Sequence, residues 1–255
     1  MILSIVNHKG GTGKTTTTIN LGSALASTGL NVLLIDFDAQ ANLTYSLGIR
    51  DDRPGIGEVL MGQADVKGVI KEREGLHVLP ASTSLADVEI SMAKADNRPT
   101  YLKAVLDELP NYDVVLIDCP PSISLLTVNA LYASDFVIIP LQMEVLSVRG
   151  LDLILDTISA IQATVNPALQ VLGVLPVMVD SRKNLNNEIT EYIEANYQVR
   201  IFAQHIRTNV KASEAPSFGK SVVQYAPSSA SAQDYKALTE EFLEIAKLSA
   251  KPVSL

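Results

Sequence analysis

The stretch Lys9-Gly10-Gly11-Thr12-Gly13-Lys14-Thr15-Thr16 decides the fold, because its flanks place it between a strand and a helix. The apolar run from Ile2 to Val6 precedes it, and apolar side chains at helical spacing follow it, with Gly29 as the predicted stop. Glycines reach positive φ at little cost and let backbone N–H groups close around a phosphate chain. The sequence therefore predicts a phosphate-binding loop at a helix N-terminus, whose dipole also favours an anion.

Two lysines of this loop have different expected roles. Lys14 is placed to reach the β- and γ-phosphates, and the hydroxyl of Thr15 suits Mg²⁺. Lys9 stands where the usual Walker pattern has a glycine, and Lys14 already fills the phosphate position. We therefore expect Lys9 to act catalytically on a nucleotide held by another subunit. The other residues predicted to hold the phosphates are Gly10, Gly11, Thr12, Gly13 and Thr16.

This loop resembles the deviant Walker A motif of the ParA/MinD family of P-loop ATPases. A second stretch, Ser213-Glu214-Ala215-Pro216-Ser217-Phe218-Gly219-Lys220, is similar to the S-E-A-P-S-x-G-K segment of Soj-like ParA proteins. The likeness runs over nearly the whole chain. It implies a weak, partner-stimulated ATPase with ATP and Mg²⁺ as cofactors, which forms a sandwich dimer when ATP is bound.

Carboxylates follow two apolar strands. The run from Val32 to Asp36 leads into Asp38, and the run from Val114 ends at Asp118. Because ligands bind at the carboxyl ends of parallel strands, these side chains are expected beside the phosphates. Asp38, in a segment similar to the family's switch I, is predicted to orient the attacking water and to belong to the Mg²⁺ site. Asp118, in a Walker B-like strand, is predicted to hold Mg²⁺. The alternative for the first strand is that its carboxylates only solubilise the strand end.

The order of strands and helices predicts the fold class. Nucleotide motifs at successive strand ends favour one α/β domain over residues 1–255, a P-loop NTPase with a twisted, mostly parallel sheet and helices on both faces. Further strands are predicted at Leu76–Pro80, Phe136–Pro140 and Leu169–Val179, and a last helix at Ala232–Ala250.

Composition agrees with such a domain. The 255 residues are 47% hydrophobic, enough for one well-buried core, and the net charge of −8 argues against a chain coated with basic residues. The single cysteine, Cys119, excludes a disulfide framework and is given no chemistry. His77 lies in an apolar strand and is expected to be a satisfied core histidine rather than a metal ligand. We find neither a signal peptide nor a spanning segment, and expect a cytoplasmic protein.

Base and DNA contacts are implied by the resemblance alone. The family reads adenine near the helix that starts at Asp180-Ser181-Arg182-Lys183-Asn184 and again at Arg207-Thr208-Asn209-Val210. This implies base contacts from Asp180, Thr208 and Asn209. Relatives usually read I-P-R-N-V where this chain has Ile206-Arg207-Thr208-Asn209-Val210, so the proline is gone and the basic residue is displaced by one.

The resemblance also implies how the protein works. An ATP-bound homodimer would bind double-stranded DNA without sequence preference, and a ParB-like activator would release it. The candidate DNA contacts are Arg207, Lys211 and Lys220, because four basic residues and one acidic residue lie between positions 200 and 220. The cargo would be a chromosome, plasmid or other body, with the protein on the nucleoid when ATP is bound. A MinD-like membrane-associated ATPase and a P-loop ligase of the dethiobiotin-synthetase kind are the alternatives.

Overall fold

Buried strands and helices alternate to form one sheet in the computed structural model, which describes residues 1–94, 100–180, 182 and 184–251. The strands within that part are β1 Ile2–Ile5, β2 Val32–Asp36, β3 Lys71–Arg73, β4 Leu76–Leu79, β5 Val114–Asp118, β6 Phe136–Gln142, β7 Gln170–Val179 and β8 Ile206–Arg207. Their order across the sheet is β3-β4-β2-β5-β1-β6-β7-β8. Every neighbouring pair is parallel except β3 with β4, which confirms the predicted fold class.

The antiparallel hairpin at the sheet edge is a feature that the sequence analysis did not predict. Its turn consists of Glu74 and Gly75, whose φ angles are 53° and 74°. Two consecutive residues with positive φ form the tight turn that suits the twist of a hairpin. β3 has only three residues, largely exposed, so it carries no hydrophobic alternation from which a strand is recognised.

Twelve α-helices lie within the described residues. They are α1 Lys14–Ala26, α2 Asn42–Ser46, α3 Ile56–Leu60, α4 Val66–Val69, α5 Ser84–Met92, α6 Tyr101–Asp107, α7 Leu125–Ala133, α8 Val145–Thr164, α9 Leu185–Asn196, α10 Val210–Glu214, α11 Val222–Tyr225 and α12 Ala230–Ala246, and a 3₁₀ turn spans Ala215–Phe218. The sequence analysis missed α2, α4, α7, α10 and α11. All of these except α7 have only four or five residues, too few to show a helical period.

The helices cover both faces of the sheet, as the continuous apolar strands predict. Along β2, Leu33 and Ile35 face a core that also contains side chains of α3 and α5 to α9. Val32 and Leu34 face the opposite core, which contains side chains of α1, α2, α11 and α12. Successive side chains of a strand point to opposite faces, so one short strand contributes to both cores.

The sheet brings the predicted site residues to one edge. β1 lies between β5 and β6, and the loop that follows β1 therefore emerges in the centre of the sheet. The register pairs Ile5 with Asp118 and Asp36 with Asp118, so both carboxylates stand beside the start of that loop. β5 and β6, which follow each other in the sequence, lie on opposite sides of β1. Open α/β sheets bind ligands at such a switch in strand order.

The last helix is shorter than predicted. α12 starts at Ala230 and ends at Ala246, because Lys247 takes a left-handed conformation with φ of 53°. Leu238 and Phe242 are fully buried, as the predicted apolar stripe requires. Ser181 and Lys183, which we placed before α9, and residues 252–255 of the predicted domain lie outside the described residues.

Candidate nucleotide-binding site

The loop from Lys9 to Thr16 has the conformation of a phosphate cradle. Gly11 and Gly13 have φ angles of 73° and 76°, and Gly13 caps the first turn of α1. The carbonyl of Lys9 accepts hydrogen bonds from Lys14 Nζ and Thr12 Oγ1, each at 3.2 Å. These bonds close the loop on itself, and the free N–H groups at the start of α1 are available to an anion.

Lys14 is a buried cation at the floor of this loop. Only 7% of its surface is exposed. Burial lowers the pKa of its ammonium, and the carboxylates of Asp118 and Asp38 act in the opposite direction. A cation with so little water around it attracts a phosphate much more strongly than one in bulk solvent.

Asp118 has the properties expected of a metal-binding carboxylate. Both of its oxygens are buried and accept no hydrogen bond within the described residues. Burial raises its pKa well above the usual range, as does the Asp36 carboxylate, whereas the nearby Thr15 hydroxyl and Lys14 lower it. A buried carboxylate without partners is costly unless a ligand compensates it. Mg²⁺ fits, since it binds one or two carboxylates together with phosphate oxygens and water.

Asp36 has a structural role instead. It is fully buried, and its Oδ2 accepts hydrogen bonds from Thr44 N at 2.8 Å and from Thr44 Oγ1 at 2.6 Å. Ala81 N donates to the same Thr44 hydroxyl at 3.0 Å. Burial raises the pKa of Asp36 to about 6. The alternative that this carboxylate only solubilises the strand end is wrong, because it ties α2 to the sheet from inside.

Asp38 lies in the phosphate cavity, a cleft of about 420 Å³ above the loop. It is 8% exposed, and its Oδ1 accepts a hydrogen bond from Gln40 N at 3.0 Å. The cavity is lined by Gly10, Gly11, Thr12, Gly13, Lys14, Thr15, Thr16, Asp38, Gln40, Asn42, Ser46, Pro121 and Met178. The sequence analysis predicted the loop residues and Asp38 but gave no role to the last five.

A second cleft of about 270 Å³, which we call the base cavity, shares Gly13, Thr16 and Met178 with the first. Thr208 and Asn209 line it, and their contacts with a base stay a prediction. Asp180 lines neither cavity. Its Oδ2 accepts a hydrogen bond from Arg182 Nη2 at 2.7 Å, so its predicted base contact has no support in this arrangement.

Met178 stands between the two cavities because of a break in the sheet. It has a φ of 55°, and the pairing of β7 with β8 shifts there, from Val177 with Ile206 to Val179 with Arg207. Bulges commonly redirect a side chain at a functional site. Gln142 Nε2 donates to the Met178 sulfur at 2.8 Å. Met178 carried no signal in the sequence, because it sits within an apolar strand.

The chain matches known proteins along most of its length. Residues 1–171 match the family described as AAA domain. The sporulation initiation inhibitor protein Soj of Bacillus subtilis is 42% identical over 245 residues, which cover 94% of this chain and 97% of that protein. The chain belongs to the Soj-like branch of the ParA/MinD family. The chromosome partitioning protein ParA of Caulobacter vibrioides is also 42% identical, over 95% of this chain and 93% of that protein.

The fold of this Soj-like protein is shared with a solved nucleotide complex. Cobyrinic acid a,c-diamide synthase of Mycobacterium smegmatis, with bound ADP and magnesium, has a TM-score of 0.85 and 36% identity. The match covers 96% of this chain and 95% of that chain. A common backbone therefore extends well beyond the loop, through the sheet and both helical layers.

Lys9 of the Soj-like protein precedes the loop glycines and does not line the phosphate cavity, whereas Lys14 does. Its Nζ donates to Gln142 Oε1 at 3.4 Å and lies 3.7 Å from Glu144 Oε2. The Lys9 side chain is 42% exposed, so it is accessible to another molecule. Its action on a second subunit stays a prediction.

The predicted DNA contacts are exposed, but two of them have acidic partners. Arg207 pairs with Asp234, and Lys211 Nζ lies 2.8 Å from Glu214 Oε2. Lys220 lies near Glu74, where burial raises the pKa of the carboxyl and the Lys220 ammonium acts in the opposite direction. The sequence window from 200 to 220 counted only Glu214, because Asp234 and Glu74 come from distant segments. The surface is therefore less basic than its sequence predicts, and DNA binding stays a prediction.

The remaining expectations concern single side chains and membranes. His77 is half-buried, and its Nδ1 shares a hydrogen bond of 2.7 Å with the Tyr112 hydroxyl, which confirms a satisfied histidine. Cys119 is buried, and burial raises the pKa of its thiol far above the usual range. Among the described helices, none combines the length and apolar character that crossing a bilayer requires.

Proposed function

We propose that this protein is a partition ATPase that binds ATP with Mg²⁺, closes into a homodimer and hydrolyses ATP slowly until a ParB-like partner stimulates it. The observation that carries the proposal is the buried Asp118 carboxylate, which has no hydrogen-bond partner among the described residues and stands beside Lys14. Relatives named chromosome partitioning proteins support the same function.

Each side chain of the phosphate cavity has a proposed part in hydrolysis. Asp118 and Thr15 would hold Mg²⁺, which neutralises phosphate charge when bound. Lys14 and the loop N–H groups hold the β- and γ-phosphates. Asp38 orients the water, since its carboxylate lies in the cavity without being fixed as tightly as Asp36. Hydrolysis then depends on positioning and charge stabilisation, with no covalent intermediate on the protein.

Dimerisation and DNA binding complete the proposal. Lys9 of one subunit would meet the phosphates bound by its partner, in a seam with little water. Lys211, Lys220 and the exposed part of Arg207 would contact DNA phosphates without reading sequence. The protein would then be cytoplasmic, on the nucleoid while ATP is bound, and would move a chromosome, plasmid or other cargo.

The MinD-like alternative has less support. A helix that lies on a membrane needs a free apolar face. In α12 that face is occupied, because Leu238 and Phe242 are fully buried against α1 and the sheet. A flotation assay with liposomes and MgATP tests this directly, and we expect the protein to stay at the bottom of the gradient.

The ligase alternative has one structural relative in its favour, since the M. smegmatis protein is named a synthase. A ligase consumes ATP only when its acid substrate is present. We expect phosphate release from MgATP and water alone, and its stimulation by a ParB-like protein. Turnover that required an added carboxylic acid would favour the ligase.

The decisive substitution is Asp38→Ala. We expect ATP binding within about twofold of the unmodified protein and hydrolysis at least about 100-fold slower, because only the positioning of water is lost. Calorimetry measures binding and phosphate release measures turnover. Glu191→Gln, an exposed carboxylate of α9, is the matched control. Unchanged hydrolysis in Asp38→Ala would show that another group orients the water.

A further inference from the structure

β8 is too short to be held firmly by its own ladder. It consists of Ile206 and Arg207, and its pairing with β7 shifts at Met178. A two-residue edge strand forms few hydrogen bonds, so a further contact must fix its position. That position matters, because the next two residues, Thr208 and Asn209, form a wall of the base cavity.

A buried carboxylate of α12 supplies this contact. Asp234 Oδ2 accepts a hydrogen bond from the backbone N of Arg207 at 2.9 Å. Arg207 Nε donates to both oxygens, at 3.1 and 3.0 Å, and Nη2 donates to Oδ1 at 2.6 Å. Nη2 also reaches the carbonyl of Ala230 at 3.4 Å. Such a forked pair fixes distance and orientation together, and here it ties β8 to α12 next to Thr208.

We propose that Arg207 is a positioning residue for the nucleotide base, acting through Asp234 to fix the wall formed by Thr208 and Asn209. The inference rests on the proposed function, since it assumes that a bound ATP occupies both cavities. Arg207 lines the base cavity but not the phosphate cavity. Within the described residues, the hydrogen bonds of the pair reach neither Lys14 nor the loop. Loss of the pair therefore weakens recognition of the base and leaves phosphate binding unchanged.

The test compares a ligand that has a base with one that has none. Calorimetry with MgATP should show about tenfold weaker binding for Arg207→Ala, because the wall moves and Asp234 is left buried without its partner. Magnesium tripolyphosphate should bind within about twofold of the unmodified protein. Arg207→Lys keeps the charge and loses the fork, so its ATP affinity should lie between the two.

Controls separate this role from a general loss of structure. Arg73→Ala removes an exposed arginine of β3 and should change the affinity for neither ligand. Equal losses for MgATP and tripolyphosphate, or no loss for either, would overturn the positioning role. If Arg207→Ala does not fold, Arg207→Lys decides, and an unchanged ratio of the two affinities overturns the proposal. Failure of the unmodified protein to bind MgATP would instead refute the proposed function.

Discussion

The phosphate cavity and the base cavity adjoin each other, yet their charged groups are in opposite states. Around the phosphates, Asp118 accepts no hydrogen bond within the described residues, and Lys14 bonds only to a backbone carbonyl there. Around the base, Arg207 and Asp234 satisfy each other through several hydrogen bonds. The charged groups of the phosphate cavity are available to a ligand. Those beside the base cavity form an ion pair that fixes the wall formed by Thr208 and Asn209.

The backbone around the phosphate cavity is also anchored differently from the backbone around the base cavity. The phosphate loop is anchored between β1, in the centre of the sheet, and a helix of thirteen residues. The wall of the base cavity follows a two-residue strand at the sheet edge. Central strands provide rigidity through their ladders, and edge segments need side-chain contacts for the same purpose. We therefore expect substitutions on the two sides to have different signatures.

The largest effect is expected for Lys14→Ala. It should reduce kcat/KM for ATP by about 1,000-fold and weaken ATP, GTP and tripolyphosphate alike, because the lost cation contacts only phosphates. Calorimetry and phosphate release measure both quantities, with Lys103→Ala on α6 as the control. Weaker binding of ATP with unchanged binding of GTP and tripolyphosphate would contradict the different roles of the two cavities.

The buried carboxylate behind the phosphate cavity should also make stability depend on pH. Burial raises the pKa of Asp36 to about 6 from 3.8. The folded state then holds a proton that the unfolded state has released, so the free energy of unfolding falls as pH rises through this window, by up to about 3 kcal/mol. Urea unfolding with EDTA, from about pH 4 to pH 7, measures it.

Asp36→Asn removes this titration and should make the pH dependence of unfolding shallower, although Asp118, whose pKa burial also raises, continues to contribute. Glu191→Gln should leave the slope unchanged. If Asp36→Asn and the unmodified protein had parallel curves, the buried carboxylate would not be the source of the pH dependence.

Lys9→Ala should separate nucleotide binding from dimerisation. In a hydrolysis-deficient Asp38→Ala background, we expect the dimer to be about 30-fold weaker with MgATP, since one cross-subunit charge pair is lost at each site. ATP binding by the monomer should not change. Analytical ultracentrifugation measures the dimer, and normal dimerisation of the Lys9 variant would make the cross-subunit role wrong.

The smallest effect is expected on DNA. Lys211→Glu with Lys220→Glu should weaken ATP-dependent binding to random-sequence DNA by about tenfold at low salt and reduce the salt dependence, because fewer counterions are released. Lys211 already pairs with Glu214, which limits the loss. Gel shifts with a salt series measure it, with Lys103→Glu as the control. Unchanged retention by a variant that still dimerises would exclude this surface.

The sequence by itself determined the phosphate side. The loop from Lys9 to Thr16, Asp38 and Asp118 were predicted because each belongs to a contiguous motif at the end of a buried apolar strand. Local propensity fixes such strands and loops, and a parallel sheet then brings its carboxyl ends to one edge. Strands β2 and β5 have the predicted bounds for the same reason.

Only the tertiary structure decided the base side and the support behind the carboxylates. Thr44 donates a hydrogen bond to Asp36, and Asp234 forms an ion pair with Arg207. Met178 has a positive φ and lies between the two cavities. Each depends on a bulge, a short helix or a partner far away in the chain, and none leaves a periodic pattern in the sequence. A pairing between distant residues is set by how helices pack on the sheet, so hydrophobic spacing and local motifs do not specify it.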